Sequence, residues 1–317
     1  MTDTTTPPPL DPALAEVDRR WKASGVPGLY EGSGPEMRER ARNIRAFLYP
    51  KPLLPTGRIE NFTIPSATGT TAPTGPAIPM RAIWPLDTPE PTATLVYYHG
   101  GGWIVGDIDS HEAHCIRIAN RTGAVVVSVG YRLAPEDPFP AGVHDALDAV
   151  RWVHAHRARF AGADRPLAVG GDSAGGNLAA VAAVVCRDEG IALAAQLLLY
   201  PATDLTGPGH GAVGEMYLGT GPDAEAKARD PLVSPRWAPT LAGVAPVLLG
   251  VGPHDFLYRD NLAYAAALQA AGVPTALREF PTLNHGFFSY TAISEDSRVA
   301  ADALCDELRA MLVAAAH

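Results

Sequence analysis

LAVGGDSAGGN, residues 167–177, places one hydroxyl, that of Ser173, between neighbours that are mostly glycine and alanine. Gly171 and Gly175 flank the serine with the spacing G-x-S-x-G, which is typical of a sharp turn from a strand into a helix. Small neighbours let the two elements approach, and the turn lifts the hydroxyl above the sheet. Because a glycine-rich chain also produces this spacing by chance, the interpretation depends on a strand before it, a helix after it and partners for the serine.

The surrounding sequence is an alternation of short apolar runs and helical patterns. Strand-like runs occupy 59–64, 79–84, 94–98, 124–129, 167–171, 196–200, 246–251 and 275–280. Helical patterns lie near 109–121, 142–158, 174–188, 259–271 and 294–313. Continuously apolar strands that alternate with helices predict an α/β fold, with a mostly parallel sheet covered on both faces. Ligands bind beyond the carboxyl ends of such strands, and Ser173 follows one of them.

The bulk composition narrows the classes of protein. With 317 residues, 47% hydrophobic and 19% charged, the chain is long enough for one large or two ordinary globular domains. Its net charge of −9 argues against a nucleic-acid partner. No apolar run approaches the roughly 18–20 residues of a membrane span, and the N-terminus lacks a secretory pattern. Three distant cysteines are expected to be reduced and buried, which is typical of a cytoplasmic protein. Together these patterns predict a cytoplasmic protein without a membrane span.

Two regions depart from the alternation and predict a cap. Residues 1–50 contain a charged helical stretch at 36–48 and an apolar row at helical spacing, formed by Leu10, Leu14, Val17 and Trp21. We expect this row to cover the pocket beside Ser173. Residues 205–230 form a long insertion rich in glycine and alanine, and long insertions in compact domains are often lids. The predicted division is therefore an N-terminal cap part, 1–50, and a catalytic domain, 51–317, with 205–230 as a further cap insertion.

A serine hydroxyl needs a base that takes its proton, and histidine suits the task near neutral pH. His285 follows the strand-like run 275–280 on a loop, and Gly286 leaves room beside it. The base in turn needs a carboxylate that fixes its tautomer. Asp255 follows the run 246–251, whereas its rival Asp260 opens a helical pattern, where a carboxylate commonly interacts with the helix dipole.

Three glycines, 100–102, directly follow the strand-like run 94–98 and let backbone N–H groups approach a substrate. They predict donors for an oxyanion, together with the N–H of Ala174, the residue after the serine. A phosphate loop is the alternative, but no G-K-[ST] or G-x-G-x-x-G pattern is present. The pairs His111/His114 and His154/His156 lack the spacing of metal motifs, so we interpret them as surface or packing histidines and expect no metal.

Five motifs, in this order, resemble those of the hormone-sensitive-lipase family of esterases (bacterial lipolytic family IV). They are HGGGW (99–103), YRLAPEDPFPA (131–141), GDSAGGNLAA (171–180), DPLVSP (230–235) and HGFF (285–288). The resemblance runs from about residue 78 to near the C-terminus. GDSAGG, where some members have GTSAGG, places the chain in the GDSAG branch.

The resemblance implies an α/β-hydrolase fold with an eight-stranded sheet and a helical cap. It also implies a serine carboxylesterase that hydrolyses short- to medium-chain acyl esters of small molecules without a cofactor. Members of the family often form homodimers, so the resemblance also implies a homodimer. By motif, the nucleophile, base and acid correspond to Ser173, His285 and Asp255. The same correspondence assigns the oxyanion hole to Gly101, Gly102 and Ala174.

Two positions depart from the family pattern, and two other functions stay open. Gly130 stands where an aspartate often precedes Y-R-L-A-P-E, and Phe256 stands where the family usually has proline after the acid. An amidase, deacetylase or acyltransferase could use the same residues, because fold and triad do not determine the acyl acceptor. A plant hormone receptor group resembles the family but binds a ligand without hydrolysis and has lost the histidine. Because His285 is present, the receptor interpretation is less favoured.

Overall fold

The computed structural model describes residues 7–48, 53–66, 76–207 and 211–316. The strands are β1 (Ile59–Pro65), β2 (Ala77–Ile83), β3 (Thr94–Tyr98), β4 (Val125–Val129), β5 (Leu167–Asp172), β6 (Gln196–Leu199), β7 (Val247–Val251) and β8 (Thr275–Glu279). The helices are α1 (Pro12–Ser24), α2 (Gly34–Leu48), α3 (Glu112–Thr122), α4 (Ala141–Ala155), α5 (Ala174–Asp188), α6 (Gly211–Leu218), α7 (Pro222–Ala228), α8 (Tyr258–Ala270) and α9 (Glu295–Ala314).

One eight-stranded sheet has the order β1-β2-β4-β3-β5-β6-β7-β8. β2 pairs antiparallel with β1 and with β4, whereas every pair from β4 to β8 is parallel. Each residue of the central strands β3, β4, β5 and β6 is buried, as expected for parallel strands with helices on both faces. The predicted α/β fold with a mostly parallel eight-stranded sheet is confirmed.

The predicted elements agree with the observed ones to within about three residues at each end. The helical pattern at 142–158 is divided, because α4 ends at Ala155 and a 3-10 turn follows at 157–159. The insertion 205–230 is less irregular than its glycine content suggested, since it contains α6 and α7; residues 208–210 lie outside the described residues. The three cysteines are buried free thiols. No helix of the described ranges is both long and apolar enough to cross a membrane.

The predicted elbow lies at the centre of the sheet. β5 ends at Asp172 and α5 begins at Ala174, so Ser173 alone makes the turn, with a φ of 54° that a side chain rarely adopts. Its two glycines lie where backbones nearly touch. A Cβ on Gly175 would be 1.9 Å from the Tyr98 carbonyl oxygen, and one on Gly171 would be 2.3 Å from the Gly175 carbonyl oxygen. The small residues around the serine are therefore required by the close approach of β3, β5 and α5.

We expect Gly175→Ala to destabilise the fold by about 1–3 kcal/mol, because the added methyl group must displace backbone rather than a flexible side chain. Gly207→Ala is the matched control, since a Cβ at Gly207 has no neighbour within 4 Å among the described residues. Thermal unfolding of both variants checks the prediction. Equal melting temperatures for the two variants would contradict the tight contact at the elbow.

Candidate active site

Three side chains from three different loops form a continuous hydrogen-bonded row. Ser173 Oγ lies 2.9 Å from His285 Nε2. On the other side of the imidazole, Nδ1 lies 2.9 Å from Asp255 Oδ1 and 2.8 Å from Oδ2. The serine follows β5, the aspartate follows β7 and the histidine follows β8, so the parallel sheet brings together residues far apart in sequence.

The tautomer of the histidine follows from its neighbours. An ionised Asp255 only accepts hydrogen bonds, so Nδ1 of His285 carries the proton and Nε2 presents a lone pair to the Ser173 hydroxyl. The aspartate side chain is fully buried and also accepts a 2.7 Å bond from the backbone N–H of Leu257. This arrangement can remove the serine proton and stabilise the imidazolium that results.

Asp260, the rival acid, lies elsewhere. Its carboxylate accepts 2.7 Å hydrogen bonds from the backbone N–H and the hydroxyl of Thr203, on the loop after β6. The expectation that it mainly interacts with the dipole of α8 is therefore incomplete. It lies in the first turn of that helix, but it also ties the helix to the neighbouring loop.

The glycine loop after β3 lies beside the serine. The N–H of Gly100 donates to Asp172 Oδ1 at 3.0 Å, so this first glycine amide is already used. Gly101 and Gly102 have φ values of 125° and 61°, and a Cβ on Gly101 would be 2.1 Å from the Val105 carbonyl oxygen. Within the described ranges, no hydrogen bond is found for the N–H groups of Gly101, Gly102 or Ala174. These three amides can therefore serve an incoming oxygen.

Below the loop lies a buried polar cluster that the sequence did not indicate. Asp172 accepts hydrogen bonds from the Tyr97 hydroxyl at 2.8 Å and from Gly100, and its Oδ2 lies 3.4 Å from His111 Nε2. Burial alone would raise the pKa of Asp172, but the nearby charge of Arg45 and the hydrogen bonds from Tyr97 and Gly100 favour its ionised form and lower its pKa well below its usual value. Burial also lowers the pKa of His111 and of His114. At neutral pH we therefore assign an ionised carboxylate beside neutral imidazoles.

Of the two alternatives, surface or packing histidines, the structure bears out packing for His111 and His114, since both are 1% exposed. Their lack of a metal spacing in sequence did not exclude a shared site. With Asp172 they offer ligand atoms within 4.8 Å of one another. The side chain of Arg45 lies against them, 2.9 Å from His111 Nε2 and 3.3 Å from His114 Nε2.

A cavity of about 170 Å³ opens between α2, the glycine loop and the side chains of Ser173 and His285. Its apolar wall comes from Leu29, Ala41, Ile44, Leu48 and Val105. Its polar lining comes from Arg45, Ser110, His111, Asp172, Ser173, His285 and Ser289. The apolar row of α1 does not contribute to this lining, contrary to expectation. Side chains of α2 form much of that wall instead.

The two departures from the family pattern have different surroundings. At Gly130 the backbone N–H donates to the Pro79 carbonyl at 2.8 Å, and a Cβ would be 3.2 Å from the same oxygen, so a larger residue would need a shift of β2. Phe256 is 70% exposed, and its ring centroid lies 4.5 Å from that of His285. Although Phe256 replaces the usual proline in this loop, Asp255 still lies within hydrogen-bonding distance of His285.

The geometry agrees with comparisons to known proteins. A family model described as alpha/beta hydrolase fold matches residues 95–289. The carboxylic ester hydrolase LipN of Mycobacterium tuberculosis is 40% identical over 240 residues, which cover 70% of this chain and 64% of LipN. The carboxylesterase NlhH of the same organism is 38% identical over 270 residues, covering 80% and 82%. The solved structure of a hyperthermophilic esterase from the archaeon Pyrobaculum calidifontis has a TM-score of 0.82 and 34% identity, covering 96% of this chain and 100% of that one.

The buried histidines predict a loss of stability in mild acid. Burial lowers the pKa of His99 to about 4, and burial lowers those of His111 and His114 as well. The unfolded chain binds these protons near pH 6.5, whereas the folded chain does not. The free energy of unfolding should therefore fall below pH 6.5, with a slope of up to about 4 kcal/mol per pH unit for three groups.

Denaturant unfolding at several values between pH 7.5 and 5 measures this slope. His99→Gln should reduce this slope by about one proton. A stability that is constant over this range would contradict the assignment of neutral buried imidazoles.

Proposed function

The chain belongs to the hormone-sensitive-lipase branch of the α/β-hydrolase family and is a carboxylic ester hydrolase, and we propose that it forms an acyl-enzyme on Ser173. One observation carries the proposal, namely the unbroken row from the Ser173 hydroxyl through His285 to Asp255. No side chain besides these is needed to move the proton.

In the proposed acylation, Nε2 of His285 takes the Ser173 proton while Oγ attacks the ester carbonyl carbon. Asp255 stabilises the imidazolium, which then protonates the leaving alcohol. A water molecule repeats the sequence on the acyl-enzyme, again with the histidine as base, and releases the carboxylic acid. The chemistry needs only groups of this chain and water.

We assign the oxyanion hole to the N–H groups of Gly101, Gly102 and Ala174. Gly100 cannot contribute, because Asp172 already binds its N–H. Donors fixed by backbone are effective, since they need no reorganisation when negative charge develops on the carbonyl oxygen. Glycine is required at the loop because of the left-handed φ of Gly102 and the close approach of Gly101 to Val105.

A cap formed by residues 1–50 and 205–230 is supported on both sides of the cavity, although 1–6, 49–50 and 208–210 lie outside the described residues. α2 supplies much of the apolar wall. From the insertion, Val213 of α6 reaches the glycine loop, where its Cγ1 lies 2.9 Å from the Cβ position of Gly102. The cavity is smaller than the roughly 300–1,000 Å³ of typical ligand sites, which favours short- to medium-chain acyl groups of small esters.

The experiment that tests the nucleophile combines labelling and kinetics. We expect a fluorophosphonate to add one adduct, on Ser173, and Ser173→Ala to lower kcat for p-nitrophenyl butyrate by several orders of magnitude without loss of folding. Among p-nitrophenyl esters from C2 to C16, kcat/KM should be highest for short chains. Full activity of Ser173→Ala would refute the acyl-enzyme.

Substitution of Asp255 should affect activity, whereas substitution of Asp260 should mainly affect stability. Asp255→Asn should lower kcat by about 10⁴-fold, the figure known for the corresponding change in a serine protease, because the amide stabilises the wrong histidine tautomer. Asp260→Asn should spare most of kcat and lower the melting temperature, since it weakens the bonds to Thr203. Steady-state kinetics and thermal unfolding of both variants distinguish them. The reverse pattern would make Asp260 the catalytic acid.

A further inference from the structure

Arg45 brings a positive charge from α2 into the cavity that contains Ser173 and His285. Its guanidinium donates to three neutral acceptors. Nη1 lies 2.5 Å from Ser289 Oγ and 3.3 Å from His114 Nε2, and Nη2 lies 2.9 Å from His111 Nε2. The charge is thus held in place by hydrogen bonds that do not neutralise it.

Several other half-buried arginines of the described chain have acidic partners, although Arg40 donates to backbone carbonyls instead. Arg132 binds Asp145 at 2.7 Å, and Arg117 binds Asp302 at 2.5 Å. For Arg45, no carboxylate oxygen of the described residues lies within 4.0 Å. Asp172 is the acidic residue of the cavity lining. Its Oδ2 contacts His111 Nε2 at 3.4 Å and does not contact the guanidinium directly. Arg45 is only partly buried, but its direct partners are all neutral, which indicates a use for its charge other than an ion pair within the protein.

The orientation of the guanidinium is determined by a chain of donors. Arginine only donates, so His111 Nε2 accepts, and the ring proton lies on Nδ1. That proton is donated to Ser110 Oγ over 2.9 Å, and the serine hydroxyl donates to the Asp107 carbonyl over 2.9 Å. Each group in this chain donates to the next, from Arg45 to the carbonyl of residue 107. The Arg45 side chain is therefore held in position without a substrate.

The same contacts argue against a metal ion at this cluster. His111, His114 and Asp172 are ligand types that suit a divalent cation. However, the N–H groups of Arg45 lie on Nε2 of both histidines and take up the lone pairs that a metal would need. The guanidinium is itself the cation of the cluster.

We assign the acyl half of the ester to this cavity. His285 protonates the leaving alcohol, and the ring beside it, Phe256, is 70% exposed, so the alcohol departs towards solvent. The acyl group stays on Ser173, next to the apolar wall from α2. Methylene groups fit that wall, and Arg45 lines the same small space.

We propose that Arg45 is a specificity residue that binds a carboxylate at the end of the acyl chain, so that monoesters of short dicarboxylic acids are substrates. The inference rests on the proposed function, since it concerns the acyl pocket of the same serine. A planar guanidinium matches a carboxylate with two parallel N–H···O bonds, and such charge-assisted bonds are strong where water is excluded.

The test compares monoethyl succinate, glutarate and adipate with the neutral ethyl butyrate, valerate and hexanoate, by acid release at constant pH. The readout is the ratio of kcat/KM for each anionic ester to that for its neutral partner. We expect a ratio above one for the wild type at one or more of the three lengths. Arg45→Met should lower that ratio roughly ten- to hundredfold, mainly through KM, as for a lost hydrogen bond to a charged group. Arg45→Lys, which keeps the charge, should restore part of it.

Arg42→Met is the matched control, because it removes one positive charge from the same helix at an exposed position outside the cavity lining. Its ratio should equal that of the wild type. An equal fall in Arg42→Met, or a parallel loss for both esters in Arg45→Met, would overturn the proposal, since it would indicate general charge or a structural role.

The wild type alone also decides the question if Arg45→Met fails to fold. Neutral esters hydrolysed at least as well as anionic ones at all three lengths would overturn the role of Arg45 and leave the esterase function intact. Absence of Ser173-dependent hydrolysis of every ester would instead refute the proposed function.

Discussion

Asp172 carries a carboxylate into the middle of the sheet, directly before Ser173, and its oxygens join three separate segments. They accept hydrogen bonds from Tyr97 in β3 and from the backbone of Gly100, and they face His111 at the start of α3. A buried charge is tolerated only where such partners surround it. Because Ser173 follows in the next position, any shift of this carboxylate would move Ser173 and the glycine loop together.

Local patterns were sufficient to predict much of this architecture. The apolar runs at 124–129 and 167–171 correspond to strands because parallel strands are buried on both faces and need no polar alternation. The order of serine, aspartate and histidine along the chain, each after its own strand, was enough to expect Ser173, Asp255 and His285 at one edge of the sheet. That the three meet within hydrogen-bonding distance follows from strand order, which a single sequence does not state.

The polar cluster behind the serine was not predictable in the same way. In 36–48 every arginine is compatible with a solvated helix face, and only the spacing of Arg45 from Ala41 and Leu48 places it on the buried side. His111 and His114 have no motif of their own, because their partners come from α2, β5 and the segment after β8. The expectation that the row of Leu10, Leu14, Val17 and Trp21 covers the pocket did not anticipate the lining from α2, for a related reason. Amphipathic spacing indicates that a face is buried but does not identify what covers it.

The bond between Arg45 and Ser289 joins residues 244 positions apart. Near the start of the chain, the N–H of Asp11 likewise bonds to the carbonyl of Thr282, and His254 contacts the carbonyl of Pro8. During synthesis α1 thus leaves the ribosome well before the loops after β7 and β8 on which it docks, whereas β3, β4 and β5 can already pair with one another. Docking of α1 has to wait for those loops, and until they emerge its apolar side chains depend on chaperones or transient local contacts for protection.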